Sequence, residues 1–152
     1  MSSLDVQIVR LDPARVVYTH GFGESPESIA WTKLTDWMAA NGVKFEEHDF
    51  YGFNNPNPSP GSPNYGYEQW MVIDAPVEET EDVKVKDVEG GLYAVSRCKL
   101  PGIGDAWKRL SAWREEESAY THGAHQWLEK SVTPPGTPFE DIVMDLYLPI
   151  AE

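Results

Sequence analysis

The sequence has 152 residues, of which 12 are Lys or Arg and 25 are Asp or Glu, so its formal net charge is −13 at pH 7. This length is typical of a single domain that buries a core without disulfides or metals. Because the surplus of negative charge repels phosphate backbones, we expect no direct contact with nucleic acid. A lone cysteine, Cys98, excludes an internal disulfide.

The beginning of the chain carries no pattern that would direct it out of the cell. The residues MSSLDVQIVR have neither the basic stretch nor the apolar run of a secretion signal. No apolar run reaches the roughly 18 residues that a membrane-spanning helix needs. We therefore expect a cytoplasmic protein that does not associate with membranes.

One motif returns after half the length of the chain. AWTKLTDW at residues 30–37 reappears as AWKRLSAW at residues 106–113, and the offset between them is 106 − 30 = 76. With this offset the two halves align without a gap. The repeat predicts one domain over residues 1–152, made of pseudo-repeats 1–76 and 77–152 around a pseudo-two-fold axis. We expect a ligand groove between the copies.

The first half is expected to contain a strand, a helix and two further strands. β-Branched and aromatic residues predict strands at 6–18, 47–53 and 65–73. Ser25-Pro26 is typical of a helix start and Asn41-Gly42 of a helix end, so the helix is expected between them.

The second half repeats this order of elements. Strands are predicted at 83–95, 125–132 and 141–150, and a helix at 103–118. The proline-rich segment 54–64 is predicted to be a loop. The fold class is therefore α+β, with two related β-α-β-β units that form an antiparallel sheet, a central ligand groove, and helices on one face.

The last strand gives the prediction of sheet faces. Its even-numbered residues, from Ile142 to Ile150, are all apolar, so we expect them to pack against the helices. The odd-numbered residues Asp145 and Tyr147 then lie on the opposite face. The same parity, carried across the repeat and to neighbouring strands, places five more residues there: Tyr51, Phe53, Met71, Trp127 and Glu129. A face rich in aromatic residues is expected to be covered by a ligand or a partner.

Glu129 is the residue on this face that is best suited to ligand binding or catalysis. A carboxylate among aromatic rings can neutralise a delocalised cation, while the rings add cation–π attraction of roughly 0.5 to 2 kcal/mol each. If desolvated, the same group could act as a general acid or base. The alternative is an ordinary exposed glutamate that pairs with Lys130.

Other candidate sites are weaker. The histidines lack the neighbouring ligands that a zinc site needs, so we expect no metal and no cofactor. Gly21-Phe22-Gly23 lacks the remaining residues of a phosphate-binding loop. The four helix tryptophans have helical spacing and are expected mainly in the core: Trp31, Trp37, Trp107 and Trp113.

Four segments together resemble the GyrI-like small-molecule-binding domain, which also forms the effector-binding domain of AraC-type and MerR-type multidrug regulators. They are GLYAV at 91–95, AWKRLSAW at 106–113, WLE at 127–129 and MDLYLPI at 144–150. The resemblance implies two β-α-β-β units around a groove for bulky, often cationic, aromatic compounds. It implies that Glu129 is the groove glutamate and that Tyr147 stacks on ligands. Asp145 stands where the family pattern has a glutamate.

Three functions follow for a chain of this kind. The first is a stand-alone protein that binds or sequesters bulky hydrophobic or cationic aromatic compounds, with seven expected ligand contacts: Glu129, Trp127, Tyr147, Asp145, Tyr51, Phe53 and Met71. The second is a hydrolase of electrophilic natural products, because some relatives resemble enzymes that open cyclopropane rings; Glu129 would be its general acid or base. The third is a protein-interaction module that resembles inhibitors of a topoisomerase.

Overall fold

The computed structural model describes residues 5–55, 61 and 63–152, which fold into two compact units. The first unit spans Ala14–Val88, and the second combines the residues up to Pro13 with Glu89–Glu152. Each unit contains antiparallel strands and one α-helix, so the predicted α+β class is confirmed.

Within the described residues, the elements follow each other in this order: β1 Gln7–Leu11, β2 Ala14–Gly23, α1 Pro26–Asn41, β3 Phe50–Asn54, β4 Tyr65–Ile73, β5 Lys84–Val88, β6 Gly91–Lys99, α2 Ile103–Glu116, β7 Thr121–His122, β8 Leu128–Ser131 and β9 Val143–Ala151. Short 3-10 turns precede β3, α2 and β9.

The strands of the two units follow equivalent orders. The first unit has the order β3-β4-β2-β5, and the second has β8-β9-β6-β1, with β7 added to β9. The strand that opens each half of the sequence pairs with the other half: β1 lies beside β6, and β5 lies beside β2. The compact units therefore differ from a division at residue 76, although each keeps one β-α-β-β core. The prediction of a single domain remains a prediction.

Local sequence signals set the helix boundaries. Helix α1 begins at Pro26 and ends at Asn41, as predicted, and Gly42 follows in a left-handed conformation with φ of 68°. This conformation is favourable for glycine, and it directs the Gly42 N–H back to the Met38 carbonyl oxygen. Helix α2 ends at Glu116, two residues before its predicted end.

Each helix packs on one face of its own sheet. Leu34 of α1 and Leu110 of α2, which are 76 residues apart, are both fully buried. In the second unit, the even-numbered residues of β9 surround Leu110, which confirms the face predicted for them. The helix tryptophans pack partly buried around the same two cores, also as predicted: Trp31, Trp37, Trp107 and Trp113.

Met71 was predicted to lie on the sheet face away from the helices, and this prediction was wrong. Met71 packs with Leu34 under α1, so its side chain points toward the helix and not away from it. The cause is the register of the repeat. Met71 pairs with Val17, and the equivalent pair in the second unit is Leu148 with Ala94, so these strands are offset by 148 − 71 = 77. A shift of one residue moves a side chain to the other face of a sheet.

Close contact between α1 and β2 depends on Gly21. A Cβ atom at Gly21 would lie 2.4 Å from the Pro26 carbonyl oxygen and 2.7 Å from the Ile29 Cβ. Nearby, the buried Thr19 hydroxyl donates a hydrogen bond of 2.7 Å to the Ala30 carbonyl oxygen. The absence of a side chain at Gly21 therefore lets the helix approach the strand at its N-terminal turn.

Two remaining predictions concern the loop and the membrane. Most of the proline-rich loop lies outside the described residues, because positions 56–60 and 62 are not among them. In the part of the chain that the structure describes, neither helix has the length and apolar character required to cross a lipid bilayer.

Candidate ligand-binding site

The carboxylate of Glu129 lies against helix α2 in the second unit. Its Oε2 atom accepts a hydrogen bond of 3.0 Å from the Trp107 indole Nε1. Glu129 comes from β8 and is half-buried, and Trp107 lies on the first turns of α2. The indole donor therefore holds one carboxylate oxygen in a defined orientation.

The predicted face of Glu129 was wrong, because the residue lies on the helix side of its sheet. Glu129 is directly opposite Leu146, whose side chain is buried in the core beneath α2. Residues directly opposite each other in an antiparallel pair share a face. The prediction assumed a strand register in which Glu129 shares a face with Tyr147, whereas Leu128 is the residue opposite Tyr147.

Trp127 lies beside this carboxylate on the same side of the sheet. Its ring centroid is 5.2 Å from that of Trp107, at a tilted angle of 42°, and 41% of the residue is exposed. The contact with a helix residue corrects the prediction that Trp127 lies on the opposite face. The Arg114 guanidinium lies 5.6 Å from the Trp127 ring centroid, a distance at which cation–π attraction acts.

Asp145 and Tyr147 lie on the side of the second sheet that faces away from α2, as predicted. Asp145 accepts hydrogen bonds from Arg97, with 2.8 Å between Arg97 Nε and its Oδ1 atom. Tyr147 is buried, and its ring contacts Tyr93 edge-on at 5.4 Å. The sheet therefore separates these two residues from Glu129 and Trp127.

The other three predicted contacts belong to the first unit. Tyr51 and Phe53 lie on the side of its sheet that faces away from α1, as predicted, because both sit in register with a residue on that face: Tyr51 is opposite Trp70, and Phe53 is opposite Glu68. Met71 is 1% exposed and belongs to the core. The structure thus brings together Glu129 and Trp127 among the predicted contacts of the second unit.

The sequence reasoning missed the roles of two residues. Trp107 was assigned to the core, although its indole N–H also holds Glu129. Two features of the sequence could have indicated this role: the indole N–H, which can donate a hydrogen bond, and the place of Trp107 in the AWKRLSAW repeat. The second residue is Glu68, which lies buried beside Trp70 and Lys86 in the first unit. A glutamate inside the aromatic strand YGYEQWMVI was a signal for an enclosed carboxylate.

Burial and the charge of Glu129 both affect the pKa of the Cys98 thiol. Burial is the main cause that raises the pKa of the Cys98 thiol to about 11, and the negative charges of Glu129 and Asp145 raise it further. The thiol is therefore protonated at neutral pH, and it is a poor nucleophile. In the described part of the chain, no three His, Cys, Asp or Glu side chains converge as metal ligands would.

Comparison with known proteins agrees with this architecture. One family profile matches residues 7–150, and its description is "Integron-associated effector binding protein". The chain belongs to this family, Cass2. The predicted resemblance to GyrI-like effector-binding domains is confirmed, and membership of an effector-binding family indicates that the chain binds small molecules. No curated protein matches the sequence.

Solved structures share the fold of this Cass2 member at low sequence identity. The C-terminal domain of EcmrR has a TM-score of 0.74 and 11% identity, covering 98% of each chain. A hydrolase from Listeria innocua has a TM-score of 0.68 and 11% identity, covering 99% of this chain and 94% of its own. SAV2435 bound to tetraphenylphosphonium has a TM-score of 0.57 and 12% identity, covering 97% of this chain and 94% of its own.

Proposed function

We propose that this Cass2 member binds bulky hydrophobic cations through the Glu129 carboxylate and the rings of Trp107 and Trp127. The observation that carries the proposal is the 3.0 Å hydrogen bond from Trp107 Nε1 to Glu129 Oε2. It fixes a half-buried negative charge near Trp127, a residue that is 41% exposed. A ligand that combines positive charge with aromatic surface matches both features.

The electrostatics of the second unit favour this class of ligand. A carboxylate that is partly removed from water attracts a cation more strongly than an exposed one, because the local dielectric constant is lower. The Glu129 carboxylate is oriented before a ligand arrives, so less conformational entropy is lost on binding. The net charge of −13 adds a general attraction for cations.

A structure with the same fold supports the choice of a lipophilic cation. SAV2435 has been solved with tetraphenylphosphonium, a cation whose charge is surrounded by four aromatic rings. Such a ligand is weakly hydrated, so it loses little solvation when it reaches a carboxylate among indole rings. We expect the present chain to select ligands by the same combination of charge and aromatic area.

Titration with a charged and a neutral arylphosphorus compound tests the proposal. Tetraphenylphosphonium and triphenylphosphine oxide are titrated into the wild-type protein and the Glu129→Gln variant, with tryptophan fluorescence as the signal. We expect the variant to bind the cation at least about tenfold more weakly, since a close charge pair is lost, and to bind the neutral ligand almost unchanged. Glu140→Gln, which removes an exposed carboxylate, is the matched control. Equal losses for both ligands would contradict a role for the charge.

Hydrolysis is the second candidate function, because a hydrolase from Listeria innocua shares the fold and because Glu129 is a carboxylate beside aromatic rings. Glu129 would take a proton from water as the water oxygen attacks an electrophilic ring carbon. The strained carbon–carbon bond would open, and its other carbon would receive the proton. For this function, Glu129→Gln keeps the binding of an activated cyclopropane and stops formation of the ring-opened alcohol, measured by mass spectrometry. Loss of binding in that variant would instead favour the binding protein.

A further inference from the structure

The helix side of each unit contains a pair of aromatic rings at equivalent positions. In the first unit, Trp31 of α1 meets Phe50 of β3 with 5.5 Å between the ring centroids and 42° between the ring planes. In the second unit, Trp107 of α2 meets Trp127 at 5.2 Å and the same angle. The helix residues are offset by 107 − 31 = 76, as in the repeat, and the other two by 127 − 50 = 77, as in the paired strands. The two ring pairs are therefore counterparts.

In the first unit, a third ring covers this pair. Phe45 lies in the 3-10 turn before β3 and stacks on Phe50, with 4.8 Å between the ring centroids and 10° between the ring planes. Parallel, offset stacking of this kind is a favourable arrangement of aromatic rings. Phe50 is fully buried as a consequence of this packing. Phe45 thus marks the place where a flat ring packs against the pair.

In the second unit, the corresponding ring is open to solvent. Within the residues that the structure describes, Trp107 is the ring that contacts Trp127. The Arg114 guanidinium lies 5.6 Å from the Trp127 ring centroid, and 41% of Trp127 remains exposed with Arg114 in this position. A large aromatic surface is therefore accessible to a ligand where the first unit supplies a ring of its own.

The two units also differ at the position of Glu129, whose counterpart is Gly52. Gly52 is opposite Gln69 in the first unit. Glu129 is opposite Leu146 in the second, and both positions are offset by 77, since 129 − 52 = 146 − 69 = 77. A Cβ atom at Gly52 would overlap the Tyr67 side chain. The first unit thus pairs a glycine with a neutral internal ring, whereas the second pairs an oriented carboxylate with an exposed ring. A ligand at Trp127 therefore meets a negative charge.

We propose that Trp127 is a stacking surface for a planar aromatic cation, which lies on this ring as Phe45 lies on Phe50. This inference rests on the function proposed above, and it ranks planar cations above tetrahedral or propeller-shaped ones. The charge of a planar cation is spread over the ring that stacks, so stacking on Trp127 brings that charge toward Glu129, which shares the neighbour Trp107. In a propeller-shaped cation the rings are inclined to one another, and a single ring at most lies parallel to the indole.

Two dyes of equal charge and different shape test this proposal. Tetramethylrosamine differs from malachite green by an oxygen atom that bridges two of its rings. The bridged part is flat, whereas malachite green is a propeller, and each dye carries one positive charge. In calorimetric titrations of the wild-type protein, we expect tetramethylrosamine to bind about fivefold more tightly, through the additional stacked area. Equal affinities, or tighter binding of malachite green, would overturn the proposal.

Two variants separate this proposal from the function on which it rests. Trp127→Leu removes the stacking surface and is expected to bring the affinities of the two dyes within about twofold of each other. Glu129→Gln is expected to weaken both dyes about tenfold and to keep the preference for the flat one, since their charges are equal. Phe139→Leu, which removes another exposed ring of the second unit, is the matched control. A preference that persists in folded Trp127→Leu protein, checked by circular dichroism, overturns the proposal. Unchanged affinity for both dyes in Glu129→Gln contradicts the proposed function instead.

A measurement on the wild-type protein avoids any effect of a substitution on folding. An aromatic ring stacked parallel to an indole shifts the indole proton resonances upfield through its ring current. Indole N–H resonances are recorded by NMR on protein with nitrogen-15-labelled tryptophan. Saturating tetramethylrosamine is expected to move the Trp127 resonance upfield and to leave that of Trp31 unchanged, because Phe45 already covers the ring pair of the first unit. A Trp127 resonance that stays in place at saturation would overturn the proposal.

Discussion

Each unit of this protein contains a glutamate that accepts a hydrogen bond from a tryptophan indole, and the two arrangements differ in what surrounds the charge. Glu129 in the second unit is half-buried on the helix side of its sheet, beside the exposed ring of Trp127. Glu68 in the first unit is buried on the side away from the helix and is paired with Lys86. The two carboxylates therefore differ in burial and in the side of the sheet on which they lie.

The glutamates do not occupy equivalent positions of the duplicated fold, because Glu129 lies on the short strand β8 and Glu68 on the long strand β4. Their tryptophan partners differ as well: Trp107 comes from a helix, whereas Trp70 lies two residues from Glu68 on the same strand. The two units therefore have similar cores and differ in the polar residues around them.

The largest expected effect tests whether the cores of the two units are equivalent. Leu34→Ala and Leu110→Ala each remove a fully buried side chain beneath a helix. We expect each to lower the free energy of unfolding by about 2 to 5 kcal/mol, through lost burial and the cavity that remains. Urea denaturation followed by circular dichroism measures both losses. A negligible loss for one variant would show that its unit does not depend on the equivalent core.

The reactivity of Cys98 tests the negative charge in the second unit. Because its pKa is raised from 9.0 to about 11, the folded state favours the protonated thiol, and this contribution to stability is lost as the pH rises from 9 through 11. At pH 8 we expect iodoacetamide to modify the folded protein on the order of 100-fold more slowly than the urea-unfolded chain.

The same reaction reports on Glu129 specifically. Since the Glu129 charge contributes to the raised pKa of Cys98, Glu129→Gln is expected to lower that pKa and to speed the modification. Because burial is the largest cause of the shift, most of the protection is expected to remain. An identical rate in the variant would indicate that the Glu129 charge is too distant or too well screened to act on the thiol.

A smaller effect on stability is expected from substitution of Gly21, which lies in tight contact with α1 in the first unit. Gly21→Ala places a Cβ atom 2.4 Å from the Pro26 carbonyl oxygen, so α1 must move away from β2. We expect a loss of about 1 to 3 kcal/mol in the free energy of unfolding, as for other overpacked positions. Gly102→Ala is the control, because its Cβ atom would meet nothing within 4 Å. Equal stabilities of the two variants would contradict the close approach.

The smallest effect concerns the indole donor of Trp107. Trp107→Phe keeps an aromatic ring and removes the N–H that orients Glu129. We expect the affinity for tetraphenylphosphonium to fall roughly fivefold, which corresponds to about 1 kcal/mol for one hydrogen bond. Trp113→Phe, which changes another α2 tryptophan packed against the same core, serves as the control. Equal affinities of these two variants would remove the basis for an oriented carboxylate.

Much of the fold could be predicted from local signals in the sequence. Pro26 and Gly42 marked the ends of α1, and the AWxxLxxW repeat identified the second helix. The alternation along β9 correctly assigned its apolar residues to the helix side. These signals are local, since they depend on the conformation of a few successive residues.

The arrangement of the site was predicted less accurately than the fold, because it depends on strand register. Assigning one offset of 76 to all elements placed Met71 on the wrong face, since the strands are offset by 77. The assumed pairing of β8 placed Glu129 and Trp127 on the wrong face for a related reason. Register is determined by contacts between distant segments, and an error of one residue reverses every side chain on a strand.

One calorimetric titration tests most directly which of the two carboxylates, Glu129 or Glu68, binds the cation. Tetraphenylphosphonium is titrated into wild type, Glu129→Gln and Glu68→Gln under identical conditions. We expect Glu129→Gln to weaken binding by about tenfold or more through loss of the ligand's counter-charge, and Glu68→Gln to change it by less than about twofold. Equal losses in both variants, or a loss only in Glu68→Gln, would contradict the assignment of the ligand site to Glu129.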